Sequence, residues 1–540
     1  MCVCCRNRGI FIEVRGRYTI PNEGKSSVMS AAGRNWPILA AIVAAILLAS
    51  PLWSVAMPAM PDYPAHLATF YLLMGHASQY YAIDWTWVPN LASEAIVPMM
   101  ARILPLAIAA KLFISATVIM WVLGPAAIQR ALYGRSSASV LLAAFFAYNV
   151  NFMWGFLNYT FAMGVAYLVF AAWIATDGNR SLLRILGFTA AITAIYFCHL
   201  FALATLLLMI GCYELSVFWR GSATVPGIAR RAAILAAIVL PAAVAFIVLK
   251  PAGDGGKFAF DFADSLLDRY EAAIQYHFDV PAYFLTGTLI VVFIAGAATR
   301  ILRIDNRMFG VLAALLLGTL FMPEWAMGGW GVDLRLPPVL GAIAFAATDL
   351  RLPSRQAIAT GTVSLIGLGF SALVLAGNWQ YYDARYREFR ANATAIRPDA
   401  RVLTVLDGDS LGWSSDQPYW HMGEYAVIDR AAATQLLFAT RGQHVVRVNP
   451  PLEEYVAETA EEGSPPDISE LTDLAQNRAN GDIDIETIFP YLMRFQCHFD
   501  QVLMVHGGGT QSPVPPMLKP RHEGSFYTIY DIVHDQRCTI

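Results

Sequence analysis

The sequence predicts an α-helical membrane protein of about eleven spans, with a C-terminal α/β domain outside the cytoplasm. Three observations support this fold class. Hydrophobic residues make up 57% of the 540 residues and charged residues only 14%, and the mean hydropathy is +0.49. Apolar runs close to the length of a membrane-spanning helix recur as far as residue 378. Residues 379–540 then have the composition of a water-soluble protein.

The chain begins with a segment, residues 1–35, that we expect to form a cytoplasmic N-terminal tail. Its first 28 residues lack the apolar core of a signal peptide. A second methionine, Met29, stands shortly before the first span. Residues 1–28 are therefore either a basic tail or an extension that is not translated.

Apolar runs that could cross a membrane occur throughout residues 36–378. They lie at 36–57, 108–129, 137–153, 156–176, 182–199, 201–219, 230–250, 281–300, 308–326, 336–349 and 356–378. Some of these runs are short, and a short adjacent pair could instead form a re-entrant hairpin. Two long intervening segments, 58–107 and 251–280, are predicted to be loops on the outer face.

The positions of basic residues predict the orientation. Twelve of the eighteen Lys and Arg residues between 36 and 378 fall in segments that are cytoplasmic when the N-terminus is inside. Eleven spans then place the C-terminal domain outside, as expected of a multi-pass protein of a bacterial inner membrane. Of the fifteen Asp and Glu residues in the same region, eleven lie on the predicted outer side. Any active site is therefore expected to face outward.

The C-terminal segment, residues 379–540, contains the β-like runs ARVLTVL, FDQVLMVHG and SFYTIYDIV. We predict helices at DRAAATQLLFATRG and ISELTDLAQNRA. Cys497 and Cys538 could form a disulfide bond in an oxidising compartment. The histidines, including His421 and His506, form no recognisable catalytic set with the acids, so this domain is expected to shape acceptor access rather than carry the chemistry.

The stretch MPDYPAHLATFYLL follows the first span and opens the first outer loop. Pro61 and Pro64 fix the chain as it leaves the membrane, and Pro64 suits the first turn of a helix. Asp62 either caps that helix or supplies a carboxylate that accepts a proton or holds a cation. His66 lies four residues later on the same helix face, where it either binds a phosphate or pairs with Asp62.

These features together resemble the GT-C class of polyprenyl-phosphate-dependent glycosyltransferases. The shared features are an acidic residue opening the first outer loop, surface helices in that loop, many spans and an outer C-terminal domain. PDYPAHLA is similar to the acidic first-loop motif of the class, with Asp62 at the acidic position. Tyr63 stands where many members have a second acidic residue, and this departure weakens a metal-dependent assignment.

The resemblance implies transfer of a sugar from a lipid-linked donor to a glycan, lipid or protein acceptor at the outer membrane face. No cofactor is predicted, a divalent metal is left open, and membrane lipids are the expected surroundings. The net charge of −3 gives no basic field for nucleic acid.

Transfer to a hydroxyl needs a base near the acceptor and positive charge near the leaving phosphate. Asp62 is the predicted base. Arg335 is the first candidate for the phosphate, because a guanidinium fork matches phosphate oxygens; otherwise it pairs with Asp333 or snorkels to the interface. The remaining candidates for substrate binding are His66, Asp333, His199, Lys257 and Arg269. A membrane histidine such as His199 is either a ligand or a packing residue.

Two other functions remain open at this point: a transporter or flippase of lipid-linked saccharides, and a non-catalytic membrane assembly protein. The apolar runs show no paired broken helices and no internal repeat of the kind that many transporters carry. An enzyme should lose activity but keep its fold when Asp62 is replaced, whereas an assembly protein should tolerate the change.

Overall fold

The chain is described here by a computed structural model that covers residues 31–534 with internal gaps. The gaps are 77, 178–180, 221–224, 250–264, 277–278, 327–328, 412–415, 440–442, 451, 453–463, 478–491 and 508–510. Residues 1–30, Lys257 and Cys538 thus lie outside the described residues. Cys497 is disulfide-bonded.

The membrane half is a bundle of helices that we number in chain order. They are α1 (Ala31–Ala49), α2 (Pro51–Ser54), α3 (Tyr63–Leu73), α4 (Ala92–Ala101), α5 (Leu106–Tyr133), α6 (Ser139–Ala143), α7 (Val150–Trp154), α8 (Leu157–Ala175), α9 (Leu182–Cys198), α10 (Leu200–Arg220), α11 (Val225–Val248), α12 (Ser265–Ala272), α13 (Asp279–Ala298), α14 (Phe309–Phe321), α15 (Leu336–Ala346) and α16 (Ser354–Ala391). Within the described residues, seven helices are long and apolar enough to cross a membrane. The protein is therefore an integral membrane protein.

Each of the eleven predicted spans overlaps a helix, but not all are full-length spans. The run 137–153 consists of α6 and α7, joined by a 3-10 turn at Ala144–Ala147. The run 336–349 is the 11-residue α15, after which the chain turns into a strand. The count of eleven spans stays a prediction.

Helix α5 lies at the centre of the bundle and packs against α8 through glycines. A Cβ atom on Gly124 would lie 2.6 Å from Cβ of Tyr167, and one on Gly164 would lie 2.7 Å from Cβ of Met120. Small residues let membrane helices approach closely, and dispersion contacts then hold them together where no water is available to drive burial. This pair gives the first outer loop and the α7–α8 turn a rigid base.

Nine strands form three sheets within the described residues. They are β1 (Tyr81–Ile83), β2 (Leu302–Ile304), β3 (Thr348–Leu350), β4 (Arg401–Leu406), β5 (Ala433–Thr434), β6 (Val446–Val448), β7 (Gln501–Val505), β8 (Leu518–Glu523) and β9 (Tyr527–Ile532). Strands β2 and β3 pair antiparallel between helices of the membrane half. The C-terminal domain is built on a five-stranded sheet of order β5-β4-β7-β9-β8. Its strands β5, β4 and β7 run parallel, and β9 and β8 are antiparallel.

Four short helices accompany this sheet: α17 (Gly408–Leu411), α18 (Tyr425–Arg430), α19 (Ile468–Asn477) and α20 (Phe495–His498). The three predicted strands are confirmed as β4, β7 and β9, and the predicted helix ISELTDLAQNRA is confirmed as α19. The helix predicted at DRAAATQLLFATRG is wrong. Helix α18 ends at Arg430 because Ala431 adopts a left-handed conformation with φ +56°, and the chain then enters β5.

The C-terminal domain is joined to the membrane half at several places. Strand β1 of the first outer loop pairs antiparallel with β6, so that Ala82 faces Arg447. Helix α16 runs without a break across the predicted domain boundary at residue 379. Its Asp383 carboxylate accepts hydrogen bonds from the backbone N–H groups of Ala56 (3.1 Å) and Met57 (2.9 Å). The first outer loop and the C-terminal domain therefore meet as one packed body.

Candidate active site

A cavity of about 1050 Å³ opens where the first outer loop, the α7–α8 turn, the segment before α15 and the C-terminal domain meet. Asp62 and Arg335 both lie on its wall, together with His66, His199, His421 and His444. Tryptophans line part of the same wall, with the rings of Trp330 and Trp420 5.4 and 5.1 Å from that of Trp154. The cavity thus combines charged groups with flat apolar surfaces.

Asp62 precedes α3 but does not cap it. Its side chain makes no capping hydrogen bond, while its backbone N–H donates to the carbonyl of Trp154 at 3.0 Å. The residue is only 8% exposed, and burial raises the pKa of its carboxyl to about 8. The capping alternative is therefore wrong, and the carboxyl group is turned towards the cavity instead.

A tight turn holds Asp62 in place. Gly155 ends α7 with φ +99°, a conformation that residues with a side chain rarely adopt. A Cβ atom there would lie 3.0 Å from Cβ of Asp62. The turn begins at Asn149, whose side-chain oxygen accepts a hydrogen bond from the backbone N–H of Phe152 at 3.2 Å and caps α7. The break in the predicted span 137–153 thus creates the floor beneath Asp62.

His66 has different partners from the one predicted. Its Nε2 atom lies 3.2 Å from the Gly155 carbonyl oxygen, and its Nδ1 atom lies 3.9 Å from Oε1 of Glu94. Its ring contacts that of Phe438 edge-on, with centroids 4.9 Å apart. Burial lowers the pKa of His66 to about 3, so the ring is neutral at physiological pH. His66 therefore packs beside Asp62 on the cavity wall, and its predicted role in binding phosphate stays a prediction.

Glu94 is a buried carboxyl group from α4 beside the cavity. Its Oε2 atom accepts hydrogen bonds from Nδ2 of Asn158 (2.8 Å) and Oγ of Ser93 (3.0 Å). Asn158 also accepts a hydrogen bond from the backbone N–H of Ser93 (2.6 Å) and donates to the carbonyl of Asn90 (3.0 Å). Burial raises the pKa of Glu94, and the Asn158 amide works against that rise. The network ties the surface helix α4 to α8.

Arg335 does not form the predicted pair with Asp333. Its guanidinium lies 5.5–5.8 Å from the ring centres of Phe156, Tyr159 and Phe201, and one amino group donates to the carbonyl of Trp330 at 3.2 Å. Its Nε atom is buried without a hydrogen-bond partner, and no carboxylate among the described residues lies within ion-pair distance of it. Burial lowers the pKa of Arg335 to about 10, which leaves the group cationic at neutral pH. An aromatic-walled cation of this kind is suited to a ligand anion.

Asp333 and Arg269 pair with each other. Nε of Arg269 lies 3.2 Å from Oδ2 of Asp333, and both side chains are buried. The two amino groups of Arg269 donate to the carbonyls of Leu320 and Met322, each at 2.7 Å. All three nitrogen groups of this guanidinium are thus engaged within the protein. The geometry favours a structural role for the pair, which braces α12 against the segment before α15. Lys257, the other basic candidate, lies outside the described residues.

His199 joins α9 to α10 and lies on the cavity wall near Arg335. Its Nδ1 atom accepts a hydrogen bond from the backbone N–H of Phe201 at 3.2 Å, and its ring contacts Tyr159 edge-on, 5.3 Å between centroids. Burial, assisted by the nearby Arg335 charge, lowers the pKa of His199 well below its usual value. Because Nδ1 accepts from the backbone, the neutral ring carries its proton on Nε2, which can donate one hydrogen bond towards a ligand beside Arg335.

The C-terminal domain contributes residues that the sequence did not single out as site residues. Nε2 of His421 lies 3.8 Å from Oδ1 of Asp62. Phe438 lies beneath three imidazoles, those of His66, His421 and His444, with ring centroids 4.9–5.3 Å away. Long-range pairing of this kind leaves no local signal in the sequence. Among the described residues, no group of three or more His, Cys, Asp or Glu side chains is placed to hold a metal ion.

The fold and the cavity define a polytopic membrane protein with a polar site between its bundle and an α/β domain. No protein-family model and no curated protein matches the chain. Among solved structures, the chain is similar to ArnT from Cupriavidus metallidurans in the apo state, with a TM-score of 0.49 and 12% identity over 93% of this chain and 98% of that one.

A second similar structure is the arabinofuranosyltransferase AftD from Mycobacteria. The TM-score is 0.48 at 17% identity, over 94% of this chain and 40% of that one. A mutant form of AftD gives 0.46 at 15% identity, over 94% of this chain and 42% of that one. These likenesses concern overall architecture and assign no donor or acceptor to this chain.

Proposed function

We propose that the protein is a membrane glycosyltransferase that moves a sugar from a polyprenyl-phosphate donor to an acceptor hydroxyl at the outer face of the membrane. One observation carries the proposal: the Asp62 carboxyl and the Arg335 guanidinium lie on the wall of the same cavity. The first is a group able to take up a proton, and the second is a cation without a carboxylate partner among the described residues. Sugar transfer from a phosphate needs both kinds of group.

The donor phosphate is assigned to Arg335. As the bond between the sugar carbon and the phosphate oxygen breaks, negative charge grows on the leaving phosphate. A guanidinium already fixed among Phe156, Tyr159 and Phe201 stabilises that charge without first having to reorganise. The neutral ring of His199 lies close enough to Arg335 to add a hydrogen bond to the same phosphate.

The acceptor hydroxyl is assigned to Asp62. The oxygen of the acceptor hydroxyl attacks the sugar carbon, and the hydroxyl proton passes to the Asp62 carboxylate. The protein thus gains one proton in the step, and the polyprenyl phosphate leaves with the electrons of the broken bond as negative charge. Burial raises the pKa of Asp62 to about 8, so only a minority of the carboxyl groups is ionised at neutral pH, and this fraction grows as the pH rises. The ionised form is a stronger base than a carboxylate in water. The rings of Trp154, Trp330 and Trp420 offer flat faces on which a sugar ring can lie.

Orientation follows from the basic residues of the membrane half, which cluster in the segments predicted to be cytoplasmic. The first outer loop and residues 379–540 then face the extracytoplasmic side together, in agreement with their direct pairing through β1 and β6. The lipid chain of the donor would remain in the bilayer while its phosphate reaches the cavity.

Purified protein in nanodiscs, given a panel of short-chain polyprenyl-phosphate sugars, tests the proposal. Release of polyprenyl phosphate is followed by mass spectrometry in wild type, Asp62→Asn and the control Asp84→Asn. Asp84 lies in the same loop but forms an exposed ion pair with Arg447 at 2.6 Å. We expect the first variant to lose about 10²–10⁴-fold in rate, the typical contribution of a general base, and the control to keep wild-type activity.

Full activity of Asp62→Asn would show that the carboxyl is not the base. Wild-type protein that carries lipid-linked sugar across a vesicle membrane, without releasing polyprenyl phosphate from any member of the panel, would replace the transferase proposal with a transporter.

A further inference from the structure

The C-terminal domain places a histidine and a fully buried glutamate directly behind Asp62. His421 caps and Glu424 ends the 3-10 turn Met422–Glu424, which precedes α18. The turn is held on one side by the Tyr386 hydroxyl, which donates to the Pro418 carbonyl at 2.5 Å. On the other side Gly423 presses against β4, where a Cβ atom would lie 2.1 Å from Oγ1 of Thr404. The two side chains therefore have little freedom to turn away from Asp62.

The three groups form a row. Nε2 of His421 lies 3.8 Å from Oδ1 of Asp62, and Nδ1 of the same ring lies 3.9 Å from Oε2 of Glu424. The His421 side chain is 3% exposed and the Glu424 side chain 0%. The two separations are longer than hydrogen bonds, and a small rotation of the ring or one bridging water closes them, as is common in sites without substrate.

We propose that His421 is a positioning residue for Asp62: its Nε2–H group stabilises the ionised carboxylate, and Glu424 on the opposite nitrogen selects the tautomer that carries this proton. The inference rests on the proposed role of Asp62 as the base. It makes the C-terminal domain part of the chemistry, since the strength of a base on the first outer loop would depend on a residue that the other domain supplies.

The charged and titratable groups around His421 are consistent with a neutral imidazole that acts on Asp62 through its N–H group. Asp62 and His66 face it from α3, Glu424 lies on its own turn, and His444 reaches the same side of the cavity across Phe438. Burial lowers the pKa of His421 and of His444 to about 4, and that of His66 further. None of the three imidazoles is cationic at neutral pH, so the effect on Asp62 comes from a hydrogen bond and not from a positive charge.

Glu424 fits the part of tautomer selector. Burial raises the pKa of its carboxyl to about 8, so that it holds a proton at neutral pH. A protonated carboxyl can donate to Nδ1 of His421, which leaves the ring proton on Nε2, facing Asp62. Glu424 thus donates to His421, and His421 donates to the carboxylate of Asp62.

The test measures the ionisation of Asp62 without relying on sugar transfer. Full-length protein in nanodiscs is treated with dicyclohexylcarbodiimide, which modifies protonated buried carboxyls, at a series of pH values, and labelling of Asp62 is quantified by peptide mass spectrometry. The variants are His421→Phe, which removes the donor, His421→Gln, which keeps an N–H group, and the control His506→Gln. His506 lies in the same domain, bonded to Gly507 and Thr528, away from the cavity wall.

We expect the midpoint of Asp62 labelling to move about one pH unit higher in His421→Phe, a tenfold change in the ionisation constant. His421→Gln should stay near wild type, and His506→Gln should match it. Where transfer is measured, the rate of His421→Phe should fall at neutral pH and recover as the pH is raised, which loss of structure would not produce.

An unchanged midpoint in a folded His421→Phe variant would overturn the inference even if transfer depends on Asp62. A midpoint that moves as expected in a protein that transfers no sugar would leave the His421–Asp62 coupling standing and overturn only the proposed function. If His421→Phe does not fold, Glu424→Leu serves instead, because leucine cannot donate to Nδ1 of His421; an unchanged midpoint of Asp62 labelling in that variant would contradict the donor arrangement.

Discussion

Asp62 shows how a single side chain can be held in a costly state. Its carboxyl is buried beside the backbone of Trp154 and Gly155, with His421 at 3.8 Å. The cost of ionising it there falls on the folded state alone, because the unfolded chain exposes the carboxyl to water. Stability and activity should therefore respond to this residue in opposite directions.

The pH dependence of stability follows from that cost. The pKa of Asp62 is 3.8 in the unfolded chain, its ordinary value, and about 8 in the folded state. Between these values the folded state binds the extra proton, so the contribution of this group to stability falls as the pH rises. We expect Asp62→Asn to melt like wild type below about pH 4 and progressively higher than wild type as the pH rises to about 8. Melting curves in detergent at several pH values check this, and a difference that is constant with pH would contradict it.

Gly155 gives a second prediction at this scale, with Gly134 as its matched control. Both have positive φ, +99° and +69°, so alanine at either position should cost about 1–2 kcal/mol of backbone strain. Only at Gly155 does the new Cβ meet Asp62, at 3.0 Å, since Gly134 has nothing within 4 Å. Both variants should therefore lose stability, while only Gly155→Ala should lose transfer activity. Equal transfer activity in the two variants would show that the turn at Gly155 does not position Asp62 for transfer.

Arg335 is predicted to act on donor binding. Arg335→Lys keeps the charge but loses the fork, whereas Arg335→Gln loses both. A hydrogen bond to a charged group contributes about 1.5–3 kcal/mol, so KM for the donor should rise about tenfold to a hundredfold in the Gln variant, and less in the Lys variant. The exposed Arg102 provides the control Arg102→Lys. A donor KM that is unchanged in Arg335→Gln would remove Arg335 from the phosphate site.

At the scale of elements, helix α16 and the first outer loop depend on one carboxylate. Asp383 is 1% exposed and binds the N–H groups of Ala56 and Met57 as well as the guanidinium of Arg387 at 2.7 Å. Asp383→Ala should destabilise the protein by about 1–3 kcal/mol, because it leaves the buried N–H group of Met57 unpaired, and it should also reduce activity through the loop. Arg387→Ala removes only the exposed partner, so its melting temperature should remain near that of wild type. Equal melting temperatures for the two variants would contradict this account.

The predicted helices and strands differ in whether neighbouring residues in the sequence are enough to determine them. Long apolar runs and alternating strands depend on neighbouring residues: each apolar run overlaps a helix, and the three β-like runs are the strands β4, β7 and β9. AAATQLLF reads as a helix by propensity, but Gln435 bonds both backbone groups of Thr404 in β4, at 3.0 and 2.7 Å, and Ala433 pairs with Arg401. Tertiary pairing overrides propensity here, and no local pattern reports it.

The same distinction separates the site residues. Asp62 could be found because prolines beside the end of a span give it an unusual context, and Arg335 because it is a basic residue on the outer side. His421 lies neither beside the end of a span nor among the basic residues of the outer side. Its position beside Asp62 follows only from the packing of the C-terminal domain against the first outer loop. Asp333 and Arg269 were singled out by charge alone, and charge does not show that the two bind each other.

At the scale of the whole molecule, topology is the prediction with the broadest consequences. A reporter that is active only outside the cytoplasm should be active when fused after residue 540, and inactive when fused after Leu352, between β3 and α16. The basic residues Arg351 and Arg355 flank the second position, which is expected to be cytoplasmic. A reporter that is active after residue 352 and inactive after residue 540 would reverse the predicted orientation and place the cavity on the inner face.

Helix α16 is 38 residues long, which corresponds to about 57 Å at 1.5 Å per residue. The hydrocarbon core of a bilayer is only about 30 Å thick. The part of the helix beyond it is fastened through Asp383 to Ala56 and Met57, just before the first outer loop, and to the C-terminal domain through the two hydrogen bonds of Arg390 to Asp429, at 2.7 and 2.6 Å. Under the proposed function, this helix would set the distance between the cavity and the lipid, and an acceptor whose hydroxyl lies nearer to the bilayer, or farther from it, would be rejected because it could not reach the cavity.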